Sequence, residues 1–454
     1  MLDLDAAIIP FGSADKYLLT MIYSWMKTPS ESDPNIPMAI GDTATFEAFI
    51  RKNKRDKMIV CGSRRIYQEW YQYYLGMQNS GNKGRAYIDI LFGLMCEFNI
   101  GNNEEQYDQL QDVAEQILAA FFDPRNSISF AKEGDFVYEN VPFFQATGNL
   151  VFTQIIETYI LSCLNHGIGV ASKAYELRNA APNLMITEGG ARRTDPNAAY
   201  WAAYASNIGM HGKLFATSHM GAAYDFGIPC KGTMAHSFVS SFKTEFQAFE
   251  AYMNAHGEEN TILLVDTYDV YHCIDSIAEE IRNQSPIGKR FEKVMGIRLD
   301  SGNIIEQIFH AKQCLPPNIK IFASNGFNTD TLREFTAKNI PIDGVIVGEQ
   351  LTQYADSPVT GAVYKLVEIN GVGKAKKAEG KVSYPFGKAI SFRVDHEGTL
   401  HVDMRKKDNV MCEYLVPVKN KRLRILDNTS WQYMFTEDPI FKFDKVQVNF
   451  VEPA

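Results

Sequence analysis

His236 stands at the end of a segment whose residue types suit phosphate chemistry, Gly227-Ile-Pro-Cys-Lys-Gly-Thr-Met-Ala-His-Ser-Phe-Val239. Downstream of it Phe238, Phe242, Phe246, Phe249 and Met253 recur at helical spacing, which predicts one apolar helix face with His236 at or near its start. A helix N-terminus offers free N–H groups and a positive dipole end to an anion. A capping or core histidine would fit the same pattern. Three further clusters follow short apolar runs: Asp266-Thr-Tyr-Asp269, Arg298-Leu-Asp-Ser-Gly302 and Ser324-Asn-Gly326. Side chains two apart on a strand point the same way, so Arg298 and Asp300 share a face, cation beside carboxylate. That pair could hold a carboxylate or phosphate on the arginine and a hydroxyl or Mg²⁺ on the aspartate, or simply form a buried ion pair. The Ser-Gly and Ser-Asn-Gly turns supply small residues and N–H groups of the kind that cradle phosphate. Arg192 and Arg193 follow a glycine pair and add cations.

The elements that must carry these tips are short. Ile262 to Val265, Val294 to Ile297, Ile319 to Ala323 and Gly344 to Val347 read as buried strands, with helices from Tyr271 to Arg282 and Thr329 to Lys338 between them. Strand, polar tip and helix in succession predict βα units on a parallel sheet. Polar tips gathered at strand C-termini favour a βα barrel, although an open sheet gives the same local pattern. The expected division is 1–140, an N-terminal α+β part; 141–352, the barrel; and 353–454, a β-rich part folding back on the first. Within these a helix is expected over Asp108 to Phe121, loops over Pro34 to Ile40 and Asp123 to Gly134, and tail strands over Val363–Ile369, Ile390–Val394, Leu400–Met404 and Cys412–Val418. Met58 to Phe98 gives no clear pattern.

Composition narrows the class. The 454 residues are 45% hydrophobic and carry a net charge of −9 with no basic block. Nucleic-acid binding is therefore disfavoured, while a local cationic pocket for a small anion is compatible with an acidic protein. Seven scattered cysteines form no Cys-x-x-Cys pair, which speaks against structural zinc and a disulfide framework and for reduced thiols in a cytoplasmic setting. No apolar run reaches the ~20 residues of a membrane span, and no signal-peptide pattern opens the chain. Gly-x-Ser-x-Gly, Walker-type and Gly-x-Gly-x-x-Gly motifs are absent, against a serine hydrolase, a P-loop NTPase and a Rossmann dehydrogenase.

Taken in order, Asp15-Lys-Tyr-Leu-Leu-Thr-Met21, Glu188-Gly-Gly-Ala-Arg-Arg193, the His236 segment, Leu264-Val-Asp-Thr-Tyr-Asp269, Gly296-Ile-Arg-Leu-Asp-Ser-Gly302, Ser324-Asn325 and Tyr364-Lys-Leu-Val-Glu368 resemble the nicotinate phosphoribosyltransferase family, among the type II phosphoribosyltransferases. The resemblance runs from about residue 10 to about residue 390. It implies an irregular α/β barrel with a second domain built from both chain ends, and a homodimer with shared active sites. It further implies transfer of phosphoribose from 5-phosphoribosyl 1-diphosphate (PRPP) to nicotinate, assisted by Mg²⁺ and coupled to ATP through a phosphohistidine at His236. By the same resemblance Tyr17 stacks on the pyridine ring, Arg298 holds its carboxylate, Asp300 the ribose hydroxyls and Arg192 the phosphates. Ser218, Thr233, Ser237, Asp266, Ser324, Asn325 and Gly348 complete the expected substrate site, and no metal ligand is assigned. The chain departs from the family at Gly189, where Phe is usual; at Gly348-Glu-Gln350 in the phosphate loop; and at Asn303, where Asp is usual. The amide-specific branch carries Asp at the position of Ser218. Nicotinamide as substrate, and a non-catalytic nucleotide-binding homologue, stand as alternatives.

Overall fold

A computed structural model describes residues 12–69, 83–98, 100, 107–123, 125–378, 381, 383–395, 397, 399–407, 416–417 and 446–451. The expected strand over Cys412–Val418 lies largely outside these residues; within them it contributes Val416–Pro417, which pairs with Ser129–Phe130. The chain forms two compact units, residues 1–169 with 359–454, and residues 170–358.

In the first unit, Thr43–Ile50 pairs antiparallel with Ala362–Ile369 on one side and Phe144–Asn149 on the other. Residues from both ends of the chain thus share one sheet. A three-stranded sheet joins Lys388–Val394, Leu400–Lys406 and Val446–Val451. Lys388 is nearly buried; its Nζ lies 2.5 Å from Glu47 Oε2 and also donates to the carbonyls of Tyr384 and Phe386, so the buried charge has its partners. The helix expected over Asp108 to Phe121 runs Tyr107–Phe121.

Two loop expectations need correction here. Ser127–Phe130, inside the stretch expected as loop, is a strand paired with Phe144–Thr147. Ladder pairing outweighs the polar local composition, and Asn126 anchors its start by accepting from the Asn149 amide at 2.8 Å. Met38–Gly41, at the end of the other stretch, is a helical turn.

In the second unit six strands lie side by side in the order Ala216–Thr217, Met185–Glu188, Gly344–Val347, Lys320–Ser324, Gly296–Leu299, Ile262–Leu264, and every pairing is parallel. Helices such as Val270–Arg282, Ile304–Cys314 and Thr329–Ala337 connect them, as the alternation of apolar runs predicts. The expected Val294–Ile297 strand begins and ends two residues later, because Val294 closes a turn onto the Phe291 carbonyl. Gly296 then sits so close to the Lys320 carbonyl that a Cβ would collide with it. The sheet curls into a half-barrel: residues of both edge strands, or directly beside them, face one cavity together with Arg298, Phe322 and Ile346 of the strands between. The fold is thus the irregular βα barrel expected, with two edges left open among the described residues.

Candidate active site

The cavity at the C-terminal end of this sheet has a volume of about 330 Å³ and adjoins a second of about 430 Å³; Gly189, Arg192, Asp300, Ser324 and Ile346 border both. Alternation of side chains along each strand selects the lining. From Gly296–Leu299 and the residue beyond it come Arg298 and Asp300, from Lys320–Ser324 come Phe322 and Ser324, and from Met185–Glu188 and its exit come Thr187 and Gly189. Phe215 and Phe322 form an apolar floor, their rings 6.4 Å apart at an interplanar angle of 28°. Arg192, Lys231 and Arg298 bring three cations to the first cavity against the single carboxylate of Asp300, an excess suited to an anionic ligand.

Asp300 is the hub. Ser324 donates through its hydroxyl to Oδ1, and His236 Nε2 stands 3.6 Å from Oδ2, a charge contact longer than a hydrogen bond. The Asp300 carboxyl is held below the usual carboxylate range: burial pushes it up, and the Ser324 hydroxyl, Arg298 and His236 together outweigh that. Asp266 accepts from the Asp300 amide at 2.9 Å and the Ser301 hydroxyl at 2.8 Å through Oδ2, while its buried Oδ1 has no hydrogen-bond partner. It therefore braces the loop from behind and does not line either cavity. Arg298 donates through Nη1 to the Thr233 hydroxyl, and its buried Nε has no hydrogen-bond partner. Burial draws the guanidinium pKa down, opposed by Asp300 and Asp266.

His236 lines the first cavity with Nδ1 3.1 Å from the Thr267 hydroxyl. Its helix differs from the expected one. His236–Ser240 spans five residues, and a separate helix begins at Glu245, capped by Thr244. A dipole grows with the number of aligned peptides, so the anion-binding potential expected for a long helix does not apply to this turn.

Ser218 and Thr233 border the first cavity, and Asn325 and Gly348 the second. Asn325 and Gly326 have φ of +74° and +77°, a turn that favours short polar residues and glycine. Ser237 is exposed and lines neither cavity. Tyr17 belongs to the first unit, on helix Lys16–Met26; it is 47% exposed, and burial together with a hydrogen bond to Glu157 pushes its phenol up to about 12.

The departures also have structural settings. Gly189 leaves no room for a side chain, since a Cβ would run into Ile346 Cγ2. Glu349 is 61% exposed and 3.9 Å from Arg193, so solvent and a neighbouring cation offset the repulsion between its charge and a phosphate. Asn303 caps helix Ile304–Cys314 with its side chain, accepting from Glu306, a task that Asp performs equally.

Three contributors are not among the expected site residues. Lys231 and Thr267 lie inside motifs already singled out. Glu188, fully buried, accepts from the Gly190 amide through Oε1 and from the Thr217 hydroxyl at 2.6 Å through Oε2. It ties the glycine loop to the strand before Ser218, and burial raises its carboxyl above the ordinary range despite those donors. A carboxylate closing the apolar run Met185-Ile-Thr is the signal that could have marked it.

No family model matches the chain. It is 35% identical over 270 residues to a nicotinate phosphoribosyltransferase of Mycobacterium tuberculosis, covering 59% of this chain and 57% of that one. It is 35% identical over 248 residues to the nicotinate phosphoribosyltransferase of Bacillus subtilis, covering 54% and 49%. The chain thus spans about half the length of these curated relatives. In structure it superposes on human nicotinic acid phosphoribosyltransferase with a TM-score of 0.68 at 17% identity, over 96% of this chain and 97% of that one. The chain is thus similar in sequence, over more than half its length, to nicotinate phosphoribosyltransferases, and it shares the fold of the human structure over nearly all of it.

Proposed function

We propose that the chain transfers phosphoribose from PRPP to nicotinate, forming nicotinate mononucleotide and diphosphate in pyridine-nucleotide salvage. Arg298 carries this reading. A half-buried guanidinium whose buried Nε has no hydrogen-bond partner among the described residues, facing a cavity with an aromatic floor, suits a flat ring bearing a carboxylate, because a charge removed from water needs an acceptor. Nicotinate on the Phe215–Phe322 floor would turn its carboxylate to Arg298 and its ring nitrogen to the ribose. That nitrogen carries no proton, so its lone pair attacks the anomeric carbon as the bond to diphosphate breaks, without a general base. Asp300, kept ionised by Ser324 and Arg298, faces the positive charge that develops on the sugar. Arg192 and the turns at Asn325–Gly326 and Gly348 would hold phosphate oxygens.

The carboxylate of Asp300, which borders both cavities, is an oxygen donor that fits Mg²⁺; when bound, the ion would neutralise charge on the departing diphosphate. The proposal extends to ATP coupling through His236, whose ring is steadied by Thr267 and faces the cavity. It also extends to a homodimer in which Tyr17 of one copy closes the site of another, and to action in the cytoplasm. The cysteines among the described residues are all free, and no helix among them is long and apolar enough to cross a membrane. Ser218 separates the runner-up, nicotinamide: this position offers the ring substituent a hydroxyl and no carboxylate.

The test is a steady-state assay with PRPP and either base, on wild type and Arg298→Lys. Lysine keeps the charge and loses the planar fork. Product is expected with nicotinate, and the substitution should raise its KM by roughly ten- to a hundredfold, the range of a charge-assisted hydrogen bond. Binding of PRPP without product from either base would leave only a nucleotide-binding homologue.

A further inference from the structure

Outside the half-barrel mouth, Asp275, His310 and Cys314 meet on the surface of the second unit. They form the one group of three such side chains among the described residues whose donor atoms lie within 4.8 Å of one another. His310 and Cys314 belong to helix Ile304–Cys314, and a spacing of four puts them on one face; Asp275 reaches them from helix Val270–Arg282. Both helices are anchored by buried residues, Ile274 and Ile277 on one and Ile308 and Ala311 on the other. Tyr271 packs edge-on against the His310 ring at 5.1 Å.

The three donors converge on a point. His310 Nε2 is 2.8 Å from Asp275 Oδ1, Cys314 Sγ is 3.5 Å from that oxygen, and Sγ is 3.7 Å from Nε2. In a cysteine–histidine–aspartate relay the carboxylate and the thiol would sit on opposite ring nitrogens. Here both face Nε2, so the arrangement does not activate a nucleophile. The centre of this triangle is about 2 Å from each atom, close to the ~2.0–2.3 Å of zinc bonds to nitrogen, oxygen and sulfur. The 3.5 and 3.7 Å edges match those of a tetrahedral site, and the 2.8 Å edge would open by about 0.5 Å as the ion replaces the hydrogen bond. The sulfur, imidazole and carboxylate set suits zinc over magnesium or calcium, which prefer oxygen alone.

We propose that Asp275, His310 and Cys314 form a surface Zn²⁺ site, with three protein ligands and a fourth position open to water, separate from the phosphoribosyl-transfer cavity. On binding, the Cys314 thiol proton leaves for solvent, and the neutral imidazole offers its Nε2 lone pair by carrying its single proton on Nδ1, with no net release from the ring. The ion would clamp the two helices whose parent strands carry Asp266 and Arg298.

The probe is Co²⁺ added alone to chelator-stripped full-length protein. The expected result is one equivalent bound, with a near-ultraviolet thiolate-to-cobalt band and visible bands of tetrahedral intensity, all bleached by Zn²⁺. Cys314→Ser should abolish the near-ultraviolet band. His310→Ala and Asp275→Asn should each weaken binding at least tenfold, with unchanged circular dichroism in the absence of metal. Absence of the band in the wild type at millimolar Co²⁺, or its persistence in Cys314→Ser, overturns the site.

Discussion

Ile346 occupies the space that a side chain at position 189 would need: a Cβ built on Gly189 falls onto Ile346 Cγ2. The glycine follows strand Met185–Glu188, the isoleucine lies within the neighbouring strand Gly344–Val347, and both line the first cavity, so each sets what the other can be. Gly189→Ala is expected to destabilise the protein by about 1–3 kcal/mol, the usual cost of overpacking. In an Ile346→Ala background that penalty should shrink by at least half. Urea melts of the four proteins measure the coupling. Strictly additive effects would mean that the two residues do not share the space.

His236→Ala should leave the fold and nicotinate binding largely intact and remove stimulation by ATP. Among the described residues the polar contacts of the His236 side chain are with Thr267 and, at 3.6 Å, with Asp300, neither of which holds the sheet together. With ATP labelled on the γ-phosphate, an acid-labile label should form on the wild type and vanish in the variant. A label surviving the substitution assigns the phosphoryl acceptor elsewhere.

What sequence made legible was the repeat. Short apolar runs ending in Asp266, Arg298–Asp300, Ser324–Asn325 and Gly348 announced βα units, and the half-barrel gathers most of these tips. What it hid depends on partners distant in sequence. Phe215 and Phe322 stack as a cavity floor because the curl of the sheet brings them together across the two strands that separate them. Glu188 matters because Thr217, 29 residues on, reaches its carboxylate. The break between Ser240 and Glu245 was invisible to periodicity, since Phe238, Phe242, Phe246 and Phe249 keep helical spacing across it. The local clue was Thr244, whose side chain caps the second helix. The strand Ser127–Phe130 likewise draws its order from a neighbour and not from its own composition.

Glu188 gives a pH prediction. Burial raises its carboxyl pKa above the ordinary 4.5 in the folded protein. A raised folded pKa contributes stability that is fully present below the unfolded value and is lost as pH rises through the folded one. Glu188→Gln has no such titration and keeps an acceptor for the Gly190 amide. The stability of the wild type relative to Glu188→Gln should therefore decline as pH climbs from about 4.5, then level off. Urea melts from pH 4 to pH 8 follow the difference. A flat difference throughout would show that the ionised carboxylate is accommodated without cost.

Ser218 decides between the two pyridine substrates. Its amide donates to the Glu188 carbonyl at 2.9 Å, and its exposed side chain borders the cavity that Arg298 enters. A hydroxyl tolerates a carboxylate and can donate to it. An aspartate at the same point would repel nicotinate and accept an N–H of nicotinamide, so the change acts through repulsion as well as attraction. Ser218→Asp should lower kcat/KM for nicotinate and shift the preference toward nicotinamide by roughly tenfold or more, about 1.4 kcal/mol. The measurement is a competition assay with both bases at equal concentration. A wild type that already prefers nicotinamide would hand the site to the amide, and an unshifted variant would place Ser218 away from the ring substituent. A shift without change in PRPP saturation would put the discrimination at the base itself, in the cavity that Ser218 and Arg298 both line.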